Sequence, residues 1–234
     1  MNIILFQEGE RFFPSSDERC GHIRKVLKLK AGDSFRGGVV NGFSGDAVIT
    51  SDTAEGIAFS FTPSADTSAL RPLTLMVAQV RPICMRRILR EAVSLGVGRL
   101  LLPVTDLGEK SYLSSGLYTT GEYRDILLDG AMQSGKTGVP EAVLTESVEA
   151  ALPLLGDERK LLLDNVIAAE RLSGMNLEGL SVALAVGPER GWSERERRLF
   201  LDDGFIPASL GDRILRTETA AVASVALALG RMGF

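Results

Sequence analysis

The chain is poor in the residues that build the most recognisable sites. Its 234 residues include two cysteines and one histidine. Cys20 and Cys84 stand far apart and form no C-x-x-C pair, so reduced, buried or half-buried thiols are expected rather than a disulfide. With His22 as the single histidine, a histidine-based metal cluster is excluded, and a Ser-His or Cys-His pair has one possible base. His22 falls in an amphipathic stretch beside Arg24 and Lys25, which assigns it to a partly exposed helix face. No apolar run approaches the roughly 18 residues that span a bilayer, and Met1-Asn-Ile-Ile-Leu-Phe-Gln-Glu lacks the basic start of a signal peptide. A cytoplasmic protein with no metal and no membrane role is expected. Basic charge is also in deficit: the net charge of -4 speaks against a general polyanion binder, because phosphate affinity is built from clustered Lys and Arg. Local patches remain possible around Arg24, Lys25, Lys28 and Lys30, and around Arg81, Arg86, Arg87 and Arg90. Either is also what an ordinary solvated helix face looks like.

What is present is ordinary globular composition, 45% hydrophobic and 24% charged, enough for one large domain or two modest ones. The first 60 or so residues carry short apolar segments, Ile3 to Phe6, Ala47 to Thr50 and Ile57 to Phe61. Gly37-Gly38 and Asn41-Gly42 read as turns between them. Helical spacing of Ile23, Val26 and Leu27 predicts one inserted helix over Asp17 to Leu29. The polar, aperiodic run Thr62 to Ser68 reads as a linker, giving a β-rich domain over 1-68 and a second domain over 69-234. From residue 72 the pattern alternates strands (Leu73 to Val80, Arg99 to Val104, Lys160 to Asp164, Ser181 to Val186, Phe205 to Pro207) with helices (Ile83 to Leu95, Gly121 to Ser134, Ser193 to Asp203, Thr217 to Met232). That alternation predicts an α/β domain with a mainly parallel sheet, whose ligands gather beyond the carboxyl ends of its strands.

Two motifs compete for the chemistry. Gly130-Ala-Met-Gln-Ser-Gly135-Lys136-Thr137 matches the phosphate-binding P-loop pattern in full, and Lys160 to Asp164 could serve as its magnesium-binding strand, so a nucleotide kinase or NTPase is one reading. A P-loop needs a strand before it and a helix after its Lys-Thr. Here a helical pattern precedes, while Gly138 and Pro140 follow; proline inside a helix costs about 3 kcal/mol or more. The other motif is a pair of glycine-bearing loops, Val186-Gly-Pro-Glu-Arg-Gly-Trp-Ser193 and Ser209-Leu-Gly-Asp-Arg-Ile-Leu-Arg-Thr-Glu-Thr-Ala220. Each sits where an apolar run gives way to a helix, where backbone can turn sharply and approach a ligand.

That pair of loops, in this order, resembles the SPOUT superfamily of S-adenosylmethionine-dependent RNA methyltransferases. More narrowly it is similar to the ribosomal RNA small subunit methyltransferase E family, which methylates N3 of a uridine in 16S rRNA. Ala131-x-Gln133-Ser134-x-Lys136 with Pro140 resembles the family's Ala-x-Gln-Ser-x-Arg motif. His22-Ile23-x-x-Val26-Leu27-Lys28-x-Lys30-x-Gly32-Asp33 resembles the signature of its N-terminal domain, and Leu95-Gly96-Val97 with Pro103 its central segment. The chain departs from the family at Arg190, where glycine is usual, and at Ser94, Met132 and Glu91. An arginine at 190 would be strained if that position required a positive φ.

The resemblance implies a small PUA-like β-barrel RNA-binding domain and a C-terminal α/β domain tied in a deep trefoil knot. It also implies a homodimer acting on 16S rRNA of the small ribosomal subunit. By the same resemblance Leu163, Asp164, Gly187, Pro188, Glu189, Gly191, Leu210, Gly211, Ile214 and Leu215 hold S-adenosylmethionine. Arg216 is the catalytic candidate, and Arg24, Lys28, Arg86, Arg87, Gln133 and Lys136 are the RNA-binding candidates. A catalytically inactive RNA-binding protein on the same scaffold is the non-enzymatic alternative. No general base is identifiable in the sequence.

Overall fold

The computed structural model describes residues 2–234, which fold as two compact units. The first runs to Ala69 and takes in Ala131–Val139; the second comprises Leu70–Gly130 and Pro140–Phe234.

The first unit is a five-stranded sheet of β1 (Ile4–Phe6), β2 (Phe12–Pro14), β3 (Ser34–Val39), β4 (Phe43–Asp52) and β5 (Gly56–Asp66), in the order β1-β3-β4-β5-β2. β1 pairs with β3 in parallel and the other neighbours are antiparallel. β1 and β2 remain edges, so the ladder is an open half-barrel rather than a closed barrel. Its core is aromatic: Phe6, Phe13 and Phe35 surround Phe59 at centroid distances of 5.0, 4.7 and 5.6 Å. Tilted and edge-on rings at these spacings add to what burial alone contributes.

Two sequence expectations need correction in this unit. β5 continues to Asp66, so most of the expected linker is strand. The polar residues 62–66 alternate along an exposed strand end, which periodicity in apolar residues does not reveal. The expected helix over Asp17 to Leu29 is instead one α-helical turn, α1 (Glu18–Gly21), followed by a π-helical turn at His22–Leu27. Lys28 ends it in the left-handed conformation, with φ 57°. Wider π turns rotate the apolar stripe out of register, which leaves Val26 and Leu27 exposed and Ile23 buried.

The second unit carries β6 (Arg71–Val77), β7 (Val97–Pro103), β8 (Glu141–Thr145), β9 (Arg159–Leu163), β10 (Glu170–Arg171), β11 (Val182–Val186) and β12 (Ile206–Ser209). They form one parallel sheet in the order β10-β12-β9-β11-β6-β7-β8. Every residue of β11 is buried, the mark of a strand covered on both faces. Helices α2 (Pro82–Ser94), α3 (Gly116–Thr119), α4 (Tyr123–Ser134), α5 (Val148–Ala151), α6 (Glu194–Asp202) and α7 (Thr217–Met232) complete the chain, with the last turn of α4 counted in the first unit. α6 begins with the capping box that Ser193 and Glu196 encode. The chain lays β11 between β6 and β9, and later β12 between β9 and β10. The carboxyl ends of β12, β9 and β11 are therefore neighbours, although their loops are far apart in sequence.

Candidate active site

Those three strand ends are stitched together by specific bonds. At the end of β9, Asp164 N–H donates to the Ala208 carbonyl of β12 at 3.1 Å. The Trp192 indole, from the loop after β11, donates to the Leu163 carbonyl at 3.3 Å. From the first turn of α7, the Thr217 hydroxyl donates to the Gly187 carbonyl at 3.3 Å. Trp192 itself is buried, edge-on to Phe200 at 4.6 Å, so the loop after β11 is anchored in the core. A Cβ at position 187 would lie 3.2 Å from the indole ring, so any other residue would push on the buried Trp192.

Asp164 is buried with both oxygens engaged. Oδ1 accepts from Val166 N at 2.6 Å and Ile167 N at 3.3 Å, and Oδ2 accepts from Arg197 Nε at 2.8 Å. Arg197 also reaches Glu194 at 3.1 Å. Asp164 thus fixes the turn after β9 and ties it to α6.

Together the three loops line an open cleft. All ten expected cofactor residues, Leu163, Asp164, Gly187, Pro188, Glu189, Gly191, Leu210, Gly211, Ile214 and Leu215, line it. Val186, Trp192, Arg213, Thr217 and Ala220 of the same two glycine-bearing loops also line it. Asn165 and Ala208, outside those loops, are brought in by the pairing of β9 with β12. Ile214 is 86% exposed and Leu215 38%, so the cleft presents apolar side chains to solvent. The strain considered for Arg190 is absent: among the described residues only Lys28 and Asn41 are non-glycine residues with positive φ, and the left-handed position in this loop is Gly191, at φ 71°.

Arg216 does not line this cleft. It opens onto an adjoining open cleft with Arg81, Cys84, Arg190 and Glu218 on its walls. The guanidinium groups of Arg81, Arg190 and Arg216 form no ion pair with any described residue. Arg216 is the N-cap of α7 by backbone geometry but gives no side-chain cap, and the Thr217 hydroxyl turns to the Gly187 carbonyl. Burial, then the Glu218 and Glu189 carboxylates, push the Cys84 thiol up, so it is a poor nucleophile.

The RNA-binding candidates divide between the units. Arg24, Lys28, Gln133 and Lys136 lie in the first, Arg86 and Arg87 in the second. Arg24 is held by Asp52 at 2.6 Å and the Thr53 carbonyl at 2.6 Å. Arg86 forms a two-point pair with Glu122, both bonds 2.7 Å. Lys28, Arg87 and Lys136 are exposed and no described residue pairs with their charge.

The P-loop reading fails on geometry. Its first five residues are the end of helix α4, so no strand precedes it, and no helix starts directly after Lys136. Its residues have structural work: a Cβ at Gly130 would sit 2.8 Å from the Arg90 carbonyl, so this glycine sets the approach of α4 to α2. The Thr137 hydroxyl is fully buried, donating to the Gly42 carbonyl at 2.5 Å beside Thr67. Neither can face a nucleotide.

Residues 67–229 match the family model of an RNA methyltransferase domain. Over 98% of its length the chain is 40% identical to the ribosomal RNA small subunit methyltransferase E of Treponema pallidum (strain Nichols), covering 91% of that protein. It is 30% identical to ribosomal RNA small subunit methyltransferase E 1 of Borreliella burgdorferi, covering 96% of this chain and 95% of that one. The fold matches the crystal structure of a ribosomal RNA small subunit methyltransferase E from Neisseria gonorrhoeae bound to S-adenosyl methionine, with a TM-score of 0.84 at 22% identity over 99% of this chain and 98% of that one. A putative methyltransferase from Legionella pneumophila, in complex with S-adenosylmethionine, matches with a TM-score of 0.82 at 22% identity, covering 98% and 97%. The class is thus RNA methyltransferase. Within it, the chain belongs to the ribosomal RNA small subunit methyltransferase E family.

Proposed function

We propose that the chain is an S-adenosylmethionine-dependent methyltransferase that methylates N3 of a specific uridine in 16S rRNA of the small ribosomal subunit. One observation carries the reading: three loops bonded to one another at neighbouring strand ends form a cleft lined by every expected cofactor residue, next to a second cleft with unpaired arginines. The residues present fit the cofactor. Gly187 lies flat against the Trp192 ring where any Cβ would crowd it, and Leu163, Val186, Ile214, Leu215 and Ala220 offer apolar surface to an adenine. When bound, the cofactor supplies an electrophilic methyl group on a sulfonium.

The chain supplies the rest. Backbone groups of Leu163, Gly187 to Gly191 and Leu210 to Leu215 hold the cofactor, and the bonds described above keep those loops from relaxing when the site fills. The Arg216 guanidinium faces the cleft for the acceptor base, stabilising negative charge that develops on O2 or O4 as N3 loses its proton. In this reading the first unit is a PUA-like RNA-binding module and Lys28, Arg87 and Lys136 contact phosphate. Arg24 and Arg86 must exchange a carboxylate for RNA or serve structure alone. The insertion of β11 and β12 between strands already laid down supports a trefoil knot in the second unit. Small exposed residues on α7, Thr219, Ala226 and Gly230, support a homodimer packed through that helix. A cytoplasmic location accords with a ribosomal substrate, and no helix among the described residues is long and apolar enough to cross a membrane.

Nucleoside mass spectrometry of 16S rRNA from a strain lacking the protein tests the proposal. N3-methyluridine should disappear and return on complementation. An unchanged level overturns the assignment.

A further inference from the structure

The two clefts of the second unit share a wall. Pro188, Glu189, Ile214, Leu215 and Thr217 line both. A methyl donor in one cleft and an acceptor base in the other can meet only along that wall, and Glu189 is its single ionisable side chain at neutral pH. The other carboxylates are placed differently. Asp164 lines only the first cleft and has both oxygens bonded, while Glu109 and Glu218 line only the second and not the shared wall. Glu189 is exposed and forms no hydrogen bond or ion pair with any described residue.

Its carboxylate also reaches toward the acceptor side. After burial, the negative charge of Glu189 is the next cause pushing the buried Tyr118 hydroxyl up, and it contributes to the same shift of the Cys84 thiol. A tyrosine and a cysteine that hold their protons this firmly do not serve as bases at neutral pH. A guanidinium cannot serve as one at all. The single histidine, His22, belongs to the other unit. The carboxylate is the group left at the junction, with the unpaired Arg81, Arg190 and Arg216 around the same cleft.

We infer that Glu189, grouped by sequence with the cofactor contacts, is the general base of the reaction. The inference rests on the uridine-N3 reading above. The N3–H proton passes to a Glu189 carboxylate oxygen. The electron pair left on N3 forms the new bond to the methyl carbon, and sulfur keeps the pair of the C–S bond that breaks. Arg216 balances the charge that appears on the uracil oxygens while the proton moves, so proton removal and charge stabilisation fall to two different residues.

Glu189→Gln keeps the shape and removes the proton acceptor at an exposed position, so folding is not at stake. Single-turnover transfer to a small-subunit rRNA fragment should slow by roughly 10²- to 10⁴-fold. Calorimetric affinity for S-adenosylmethionine and the affinity for the fragment should stay at the wild-type values. A fragment with 5-fluorouridine at the target position, whose fluorine makes N3–H more acidic, needs less help from a base. With it the deficit of the variant should shrink by roughly tenfold or more. Equal deficits with both fragments, or an unchanged rate, overturn the inference. So does a loss of cofactor affinity that matches the loss of rate, which makes Glu189 a cofactor contact. Wild-type product analysis separates the two levels: methylation away from N3 removes the underlying reading and this one together, whereas N3-methyluridine with an indifferent Glu189→Gln removes only the base.

Discussion

Asp164→Asn tests whether the cofactor cleft is shaped by its scaffold or by direct contacts. The Asp164 side chain is 2% exposed and Arg197 13%. Asparagine retains one oxygen for the Val166 and Ile167 amides but turns an amide donor toward Arg197 Nε. Removing one partner of a buried pair costs about 3–5 kcal/mol, chiefly because the other charge is left uncompensated. Arg197 keeps its bond to Glu194 and some exposure, which places this case near the lower end, at about 3 kcal/mol. In a domain of this size each kcal/mol moves Tm by about 2–4 °C, so a fall of about 6–12 °C is expected. Thermal and urea unfolding measure it, with Arg197→Gln and the double variant completing a cycle. The double variant should recover part of the loss, with a coupling of about 0.5–3 kcal/mol. Additive single effects, or a fall below about 1 kcal/mol, refute the structural role. An unchanged Tm with lost cofactor affinity makes Asp164 a direct cofactor contact.

Three further outcomes are expected. Arg216→Ala should lower the single-turnover rate far more than calorimetric cofactor affinity, because the guanidinium lies in the second cleft and acts on developing charge; a parallel collapse of affinity contradicts this. Gly187→Ala should cost about 1–3 kcal/mol of stability by pressing on the buried Trp192 and should weaken cofactor binding, both read by melting with and without ligand. Lys136→Ala should weaken rRNA binding and lower the slope of log affinity against log salt by about one phosphate contact, with cofactor affinity unchanged; magnesium-dependent ATP binding lost in the variant contradicts it.

What the sequence shows well is local. β11 is a continuous apolar run, β6 and β9 end in apolar runs, and α2 and α6 carry the helical period, so apolar spacing alone reveals these elements. What it hides depends on neighbours. Gly37-Gly38 reads as a turn yet lies within β3, because Phe6 and Ile3 press against the strand and leave no room for a Cβ. Asn41-Gly42 reads the same way and is a turn, with Asn41 at φ 56°. The two segments part on what packs against them: side chains press on Gly37 and Gly38, whereas Gly42 lies against Val39. β8 and β10 escape notice for a related reason: each is a short strand at an edge of the parallel sheet, half-buried or exposed, with at most three apolar residues in a row. The return of Ala131–Val139 to the first unit has no signal in composition at all; it depends on Thr137 finding Gly42 and Thr67.

The candidate site shows the same boundary at finer scale. Its glycines are legible because each loop carries its own turn chemistry, and the order of strand, loop and helix places both loops at carboxyl ends. Which side of a loop faces which cleft is not a local property. Arg216 and Leu215 are consecutive, yet Leu215 lines both clefts and Arg216 only the second, since the chain enters α7 between them. Glu189 lies between Pro188 and Arg190 in a motif read as a cofactor loop, and only the insertion of β11 beside β9 turns it to a wall that two ligands share. Binding residues that act through backbone can be read from a motif, because the motif specifies the backbone. A general base has to be found by topology, because its role depends on what lies across from it.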